Sequence, residues 1–160
     1  MGLVDYKLLN QTVSQQYKET LGNIIRETER SGKAIPNLPI TLSIDGKSPN
    51  TSAPKAQPFF LTNFEKHVHI VKGEFPNDPH INREKGLDIE TVVGIDVAKN
   101  MGWEINQSIY VIPFKTDPFE NIRFILVGIV EPRDASSEYW MTSANAFFQT
   151  QEINNKLVAP

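Results

Sequence analysis

The sequence predicts an α+β fold: a small mixed or antiparallel sheet of short strands, with an N-terminal helix and a second, short helix near residues 96–102. Three observations predict it. Val13, Tyr17, Leu21 and Ile24/Ile25 recur at helical spacing. Elsewhere the apolar segments are short and are punctuated by 11 prolines and 9 glycines. The best-patterned stretch, Thr91 to Pro132, alternates β-branched and apolar runs with one capped helical segment.

Taken in order, the N-terminal helix is expected over about residues 10–31. Asn10 or Ser14 can cap its start, and Gly32 sits where a left-handed stop is expected. Its apolar stripe is narrow and contains Gly22, so the helix needs a partner surface. Pro36 and Pro39 end any helix, and Ile40–Ile44 alternates like a strand. Residues 45–58 read as an exposed loop, Phe59–Leu61 and His67–Val71 as short strands, and 73–87 as a second polar loop.

Thr91–Ile95 is strand-like, and Asp96 can cap a helix over Val97–Met101 that stops at Gly102. In a Schellman stop, Trp103 folds back over Val97 and Ala98. Ser108–Phe114 reads as a strand, with Pro113 near an edge. Ile122–Val130 is apolar on both faces after Arg123 and reads as a central strand ended by Pro132. The aromatic segment 133–160 has no clear period. Its cluster, Phe119, Tyr139, Trp140, Phe147 and Phe148, reads as packing under the sheet, with an apolar contact surface as the alternative. The whole chain, 1–160, is expected to be one domain or a fragment of one, with a sheet core over about 39–132.

Composition excludes several function classes. Hydrophobic residues make up 39% and charged residues 22%, which is ordinary for a globular domain. The net charge of −3 is spread along the chain with no basic stripe, so nucleic acid is not an expected partner. With no cysteine, disulfides, thiol catalysis and Cys-based zinc sites are ruled out. The longest apolar run, Phe124–Val130, is far short of the ~20 residues a spanning helix needs. No signal peptide is visible in residues 1–10. The chain as it stands is expected to be soluble, and it is also compatible with being a piece of a longer membrane protein.

Short motifs with catalytic or ligand-binding chemistry fall short of their requirements. Gly46-Lys47-Ser48 lacks the glycine five residues earlier that a phosphate loop needs (Thr41 stands there), and Pro49 and Pro54 forbid the helix that should come next. It reads as a turn. Gly94 and Gly102 do not make a dinucleotide fingerprint. No Gly-x-Ser-x-Gly elbow is present. Glu84/Asp88 and Asp117/Glu120 fall in polar loops and read as solvated carboxylates. His67 and His69 are two apart, so on a strand they face one side, and Asp78 and His80 could complete a metal site for a small metal-assisted hydrolase. The competing reading makes the two histidines the solvent face of a strand whose other face is Val68 and Ile70. That reading is preferred, so no catalytic, cofactor or metal residue and no cofactor is assigned. Sequons at Asn10, Asn50 and Asn106 matter only in a eukaryotic secretory setting.

The stretch ETVVGIDVAKNMGWEINQSIYVI, with IRFILVGIVEP after it, resembles a pattern in the extracytoplasmic domains of FtsX-like/MacB-type ABC transporter permeases. There a strand runs into a short helix with a glycine stop, then a turn, a strand, and a second strand of the form Val-Gly-Ile-Val, here Val127–Val130. Upstream, KHVHIVKGEFPND is similar to another family segment, with Gly73 and Pro76 in register. EPRDASSEYWM is similar to the segment after the second strand in some bacterial members. The resemblance covers about Phe59 to Met141. Two positions depart from the pattern: Asn106-Gln107 replaces the usual Gly-Asp turn, and Glu74 the usual arginine. Asparagine tolerates a left-handed backbone, so the turn is expected to survive.

The resemblance implies a MacB periplasmic-domain-like fold and a membrane protein whose domain lies on the extracytoplasmic side. It implies a non-catalytic role: binding substrate, a lipoprotein, lipid or periplasmic partner, and coupling to transport. The implied partners are the flanking transmembrane helices of the permease and an ATPase that is a separate subunit or domain. A free-standing secreted binding protein is the remaining alternative.

Overall fold

The structure, a computed structural model, describes residues 3–22, 24, 31–33, 38–41, 54–77, 80–82, 86–111, 122–141 and 143–160. Helices and strands are mixed, and the fold is α+β. By contacts the chain divides into two compact units, Met1–Arg30 and Ser31–Pro160.

The first unit is helix α1, Leu3–Leu21. It begins well before residue 10 because nothing from Leu3 to Leu9 breaks a helix. Asn10 and Ser14 are therefore interior rather than capping, and the Ser14 hydroxyl donates back to the Asn10 carbonyl at 2.8 Å. The helix ends at Gly22, not Gly32, which lies in a strand. Leu8, Leu9, Val13, Tyr17 and Leu21 are all exposed. No helix among the described residues is long and apolar enough to cross a membrane.

The second unit is built around one long strand. In chain order its elements are β1 (Ser31–Lys33), β2 (Leu38–Thr41), β3 (Lys55–Ala56), β4 (Phe59–Leu61), α2 (Phe64–His67), β5 (Val68–Gly73), β6 (His80–Asn82) and β7 (Gly86–Gly94). Next come α3 (Ile95–Met101), β8 (Ser108–Val111), β9 (Ile122–Pro132), a 3-10 turn at Glu138–Trp140, α4 (Asn145–Phe148), β10 (Gln151–Ile153) and β11 (Lys156–Ala159). The eleven residues of β9 form the centre. Along one edge β9 pairs with β7 in parallel, from Leu87↔Ile122 to Gly94↔Val130.

The other edge of β9 is shared. Strand β8 pairs antiparallel with Ile122–Ile125, and β5 pairs antiparallel with Gly128–Pro132. Backbone groups from two turns fill the handover between them. Asn106 N–H donates to the Leu126 carbonyl at 2.8 Å, Leu126 N–H to the Gln107 carbonyl at 3.0 Å, and Glu74 N–H to the Val127 carbonyl at 2.9 Å. The ladder along β9 is thus continuous although no single neighbour spans it, which keeps its buried polar groups paired.

Two register shifts bend the sheet at this point. Thr91 faces Leu126 and Val92 faces Gly128, so Val127 is the extra residue on β9. Opposite, Val71 is extra on β5. Beyond β8 the sheet continues through β2, β3, β11 and β10, while β6 closes the far side on β7. The segment expected as a loop at 73–87 therefore contains an edge strand, and the C-terminal segment adds a hairpin. That hairpin turns at Asn154-Asn155, whose φ values of 53° and 57° suit the mirror-image turn favoured between twisted strands.

Two buried clusters flank β7–β9. One joins Val97, Ala98 and Trp103 to Ile40, Val93, Ile109, Val111, Leu126 and Ala159. The other joins Val68, Val130, Tyr139, Trp140, Ala144 and Phe148. Successive residues Val92 and Val93 divide between them, as do Ile129 and Val130, so the clusters lie on opposite faces of the strand pair. This is the double coverage that the apolar run of β9 predicts.

Helix α3 starts at Ile95 rather than Val97. Gly94 precedes it in extended conformation with no side-chain cap, and Asp96 sits in its first turn. There a carboxylate favours the positive end of the helix dipole without closing a capping bond. Its end is the expected Schellman stop. Gly102 is left-handed, at φ 66°, and Trp103 N–H donates to the Ala98 carbonyl at 2.8 Å.

Candidate functional site

The aromatic segment after β9 is core. Trp140 is 1% exposed, and its indole N–H donates to the Asp134 carbonyl at 2.8 Å. Its ring meets Tyr139, Phe148 and Phe64 edge to face at centroid distances of 4.8, 5.1 and 6.4 Å. Tyr139 is buried up to its hydroxyl, which donates to the Thr62 carbonyl at 2.7 Å. Phe147 is half-buried and meets Phe59 edge to face at 4.9 Å. Phe119 lies outside the described residues.

These rings do not close completely on the sheet. An apolar cavity of about 320 Å³ lies along the edge of β7 beyond its pairing with β6, where residues of both clusters line it. Residues 89–94 of β7 line it, as do Phe124 of β9, Ile109 and Val111 of β8, and Trp103. Phe59 and Phe60 of β4 and Phe147 and Phe148 of α4 also contribute. Its size falls at the small end of the ~300–1,000 Å³ typical of small-molecule sites. Among the described lining residues, Glu90 carries the only ionisable side chain. Glu90 is half-buried, and its Oε2 accepts from the Asn77 backbone N–H at 2.8 Å and from the Asn77 side-chain amide at 3.0 Å. Two donors on one oxygen fix the carboxylate's orientation and leave Oε1 without a described partner. The sequence signal for this residue is the second acid of Asp88-Ile89-Glu90, at the start of the apolar run that ends at Gly94. Sequence reasoning passes over it because a glutamate in a strand is ordinarily a solvent-facing residue.

The histidines are distributed differently from the period-two expectation. His67 ends α2 rather than lying on a strand, and its ring is stacked on Tyr139 at 3.6 Å and 5°. His69 is exposed on β5 opposite Glu131. His80 opens β6 and pairs with Asp88, and Asp78 lies outside the described residues. Among the described residues no group of three or more His, Asp or Glu could hold a metal ion. Asp88 is instead tied to Arg123 on the neighbouring strand. The Arg123 Nε donates to Asp88 Oδ1 at 2.9 Å, and a second nitrogen donates to Oδ2. That bidentate hydrogen bonding holds the Asp88 carboxyl below the usual aspartate range and pushes Arg123 up. Gly46-Lys47-Ser48, Asn50, Glu84, Asp117 and Glu120 lie outside the described residues.

Comparison of the chain with family models, with curated proteins and with solved structures finds no match.

Proposed function

We propose that this chain is a non-catalytic extracytoplasmic domain of an FtsX-like/MacB-type ABC transporter permease, which binds substrate or a partner protein and couples that binding to transport. The observation that supports this reading is where the resembling segments meet. Gly73 of the upstream segment pairs with Gly128 of the Val-Gly-Ile-Val strand. The Asn106 turn, left-handed at φ 68°, docks on Leu126 of that same strand. A relationship carried by order and spacing requires that its pieces form one structural unit, and these pieces do.

On this reading the obligatory partners are the flanking transmembrane helices and a separate ATPase, with a lipoprotein, lipid or periplasmic protein as the bound species. The domain works on the outer side of the cell membrane, as a relay between what it binds and the ATPase cycle. The gene itself supplies the test. Hydrophobic segments of about 20 residues encoded on both sides of residues 1–160 support the reading. Stop codons on both sides would sink it. A zinc titration of the purified chain separates the metal-assisted hydrolase: the expected result is no stoichiometric binding that His67→Ala or His69→Ala abolishes.

A further inference from the structure

We propose that the cavity beside β7 is a binding site for a small lipophilic amine, with the alkyl or aryl body inside and the ammonium group at Glu90. The inference deepens the binding role proposed above and rests on it, but the physical case for the cavity holds whether or not the domain belongs to a permease.

Three features select this class of ligand. The walls are apolar and rich in rings: Phe64, Phe147 and Phe148, of the cluster on the Val92 face that Glu90 shares, line it together with Phe59 and suit an alkyl or aryl body. The volume of about 320 Å³ suits a body of fragment size. Charge then discriminates among fragments. Among the described residues no lysine, arginine or histidine lines the cavity, and Glu90 is one of the residues that line it. An anionic head group meets repulsion there, whereas an ammonium gains a charge-assisted hydrogen bond to Oε1. Asn77 holds the carboxylate ready by occupying Oε2 from two directions. The site therefore needs little reordering on binding, which favours affinity.

The test uses the whole chain and three probes with one chain length and different heads: decylamine, decanol and decanoate, at neutral pH and below their aggregation concentrations. Titration calorimetry is the primary readout, and tryptophan fluorescence, from Trp103 in the cavity wall, is the second. Decylamine is expected to bind one to one and about tenfold more tightly than decanol, the equivalent of one charge-assisted hydrogen bond. Decanoate is expected to bind most weakly. Glu90→Gln, which keeps the shape, should bring decylamine to within about twofold of decanol and leave decanol unchanged. Glu90→Asp, which keeps the charge, should retain the preference, and a thermal melt of each variant confirms its fold. Decanoate binding as well as decylamine, a preference that survives Glu90→Gln, or no saturable binding of any probe would each overturn the proposal. Such a failure leaves the permease reading standing, with its ligand elsewhere, and failure of the gene test leaves this site intact.

Discussion

Substituting alanine for Gly73 tests the crossing of β5 over the bulge in β9, the contact that joins the two halves of the resembling region. Gly73 has φ 82°, and a Cβ there would lie 2.0 Å from the Val127 carbonyl oxygen and 3.0 Å from the Ile105 side chain. Two separate costs arise. The left-handed backbone costs a non-glycine residue about 1–2 kcal/mol. Forcing a methyl group against a packed backbone carbonyl adds about 1–3 kcal/mol. The expected loss for Gly73→Ala is the sum, about 2–5 kcal/mol.

Two other glycines separate those costs. Gly102 has φ 66° with nothing within 4 Å of its virtual Cβ, so Gly102→Ala carries the backbone cost alone. Gly128 has no positive φ, but its Cβ would lie 2.3 Å from the Glu74 carbonyl oxygen and 2.8 Å from Val92, so Gly128→Ala carries the steric cost alone. Urea denaturation of the three variants at constant m-value measures each loss as a shift in midpoint. Equal costs for Gly73→Ala and Gly102→Ala, within about 0.5 kcal/mol, would refute the steric argument, that spread being comparable with ordinary non-additivity. In that case the chain does not press on Val127, and the pairing of β5 with β9 at Gly128 is wrong.

Single sites carry the other predictions. Trp140→Ala removes a fully buried indole with five ring partners and its hydrogen bond to the Asp134 carbonyl, so a loss of about 3–5 kcal/mol is expected by urea denaturation. The depressed Asp88 carboxyl contributes stability that is present above the ordinary aspartate pKa of ~3.9 and lost as pH falls through its lower folded value. Both partners are more than a third exposed, so the contribution is at most about 1 kcal/mol. Melting temperature tracked from neutral pH to below 3 should fall less steeply in Asp88→Asn than in the parent, and an equal slope removes this role for the pair. Asn155→Gly should stabilise the β10–β11 hairpin by up to about 1 kcal/mol, because glycine adopts the left-handed turn without the penalty an asparagine still bears. A lower melting temperature for that variant would contradict the turn geometry.

Local patterns in the sequence determined the features that depend on neighbours along the chain. The α+β class, the central character of Ile122–Val130, the helix ending at Gly102 with Trp103 folded back, and the left-handed Asn106 all arise from apolar period, glycine at a stop and asparagine at a turn. The rings of Tyr139, Trp140 and Phe148 were legible as core for the same reason, since large aromatics are costly to leave in water.

Only the tertiary structure decided the rest. The division of one β9 edge between β8 and β5, the strand β6 within an apparent loop, and the C-terminal hairpin joined to the sheet through β3 are pairings between distant residues. Backbone hydrogen bonds make such pairings, and these carry no side-chain signature. The start of α1 at Leu3 escaped because capping residues mark a helix end only where the chain before them cannot continue the helix. The cavity and Glu90 escaped because a void is what remains when rings and strands far apart in sequence fail to close, a property of their joint packing.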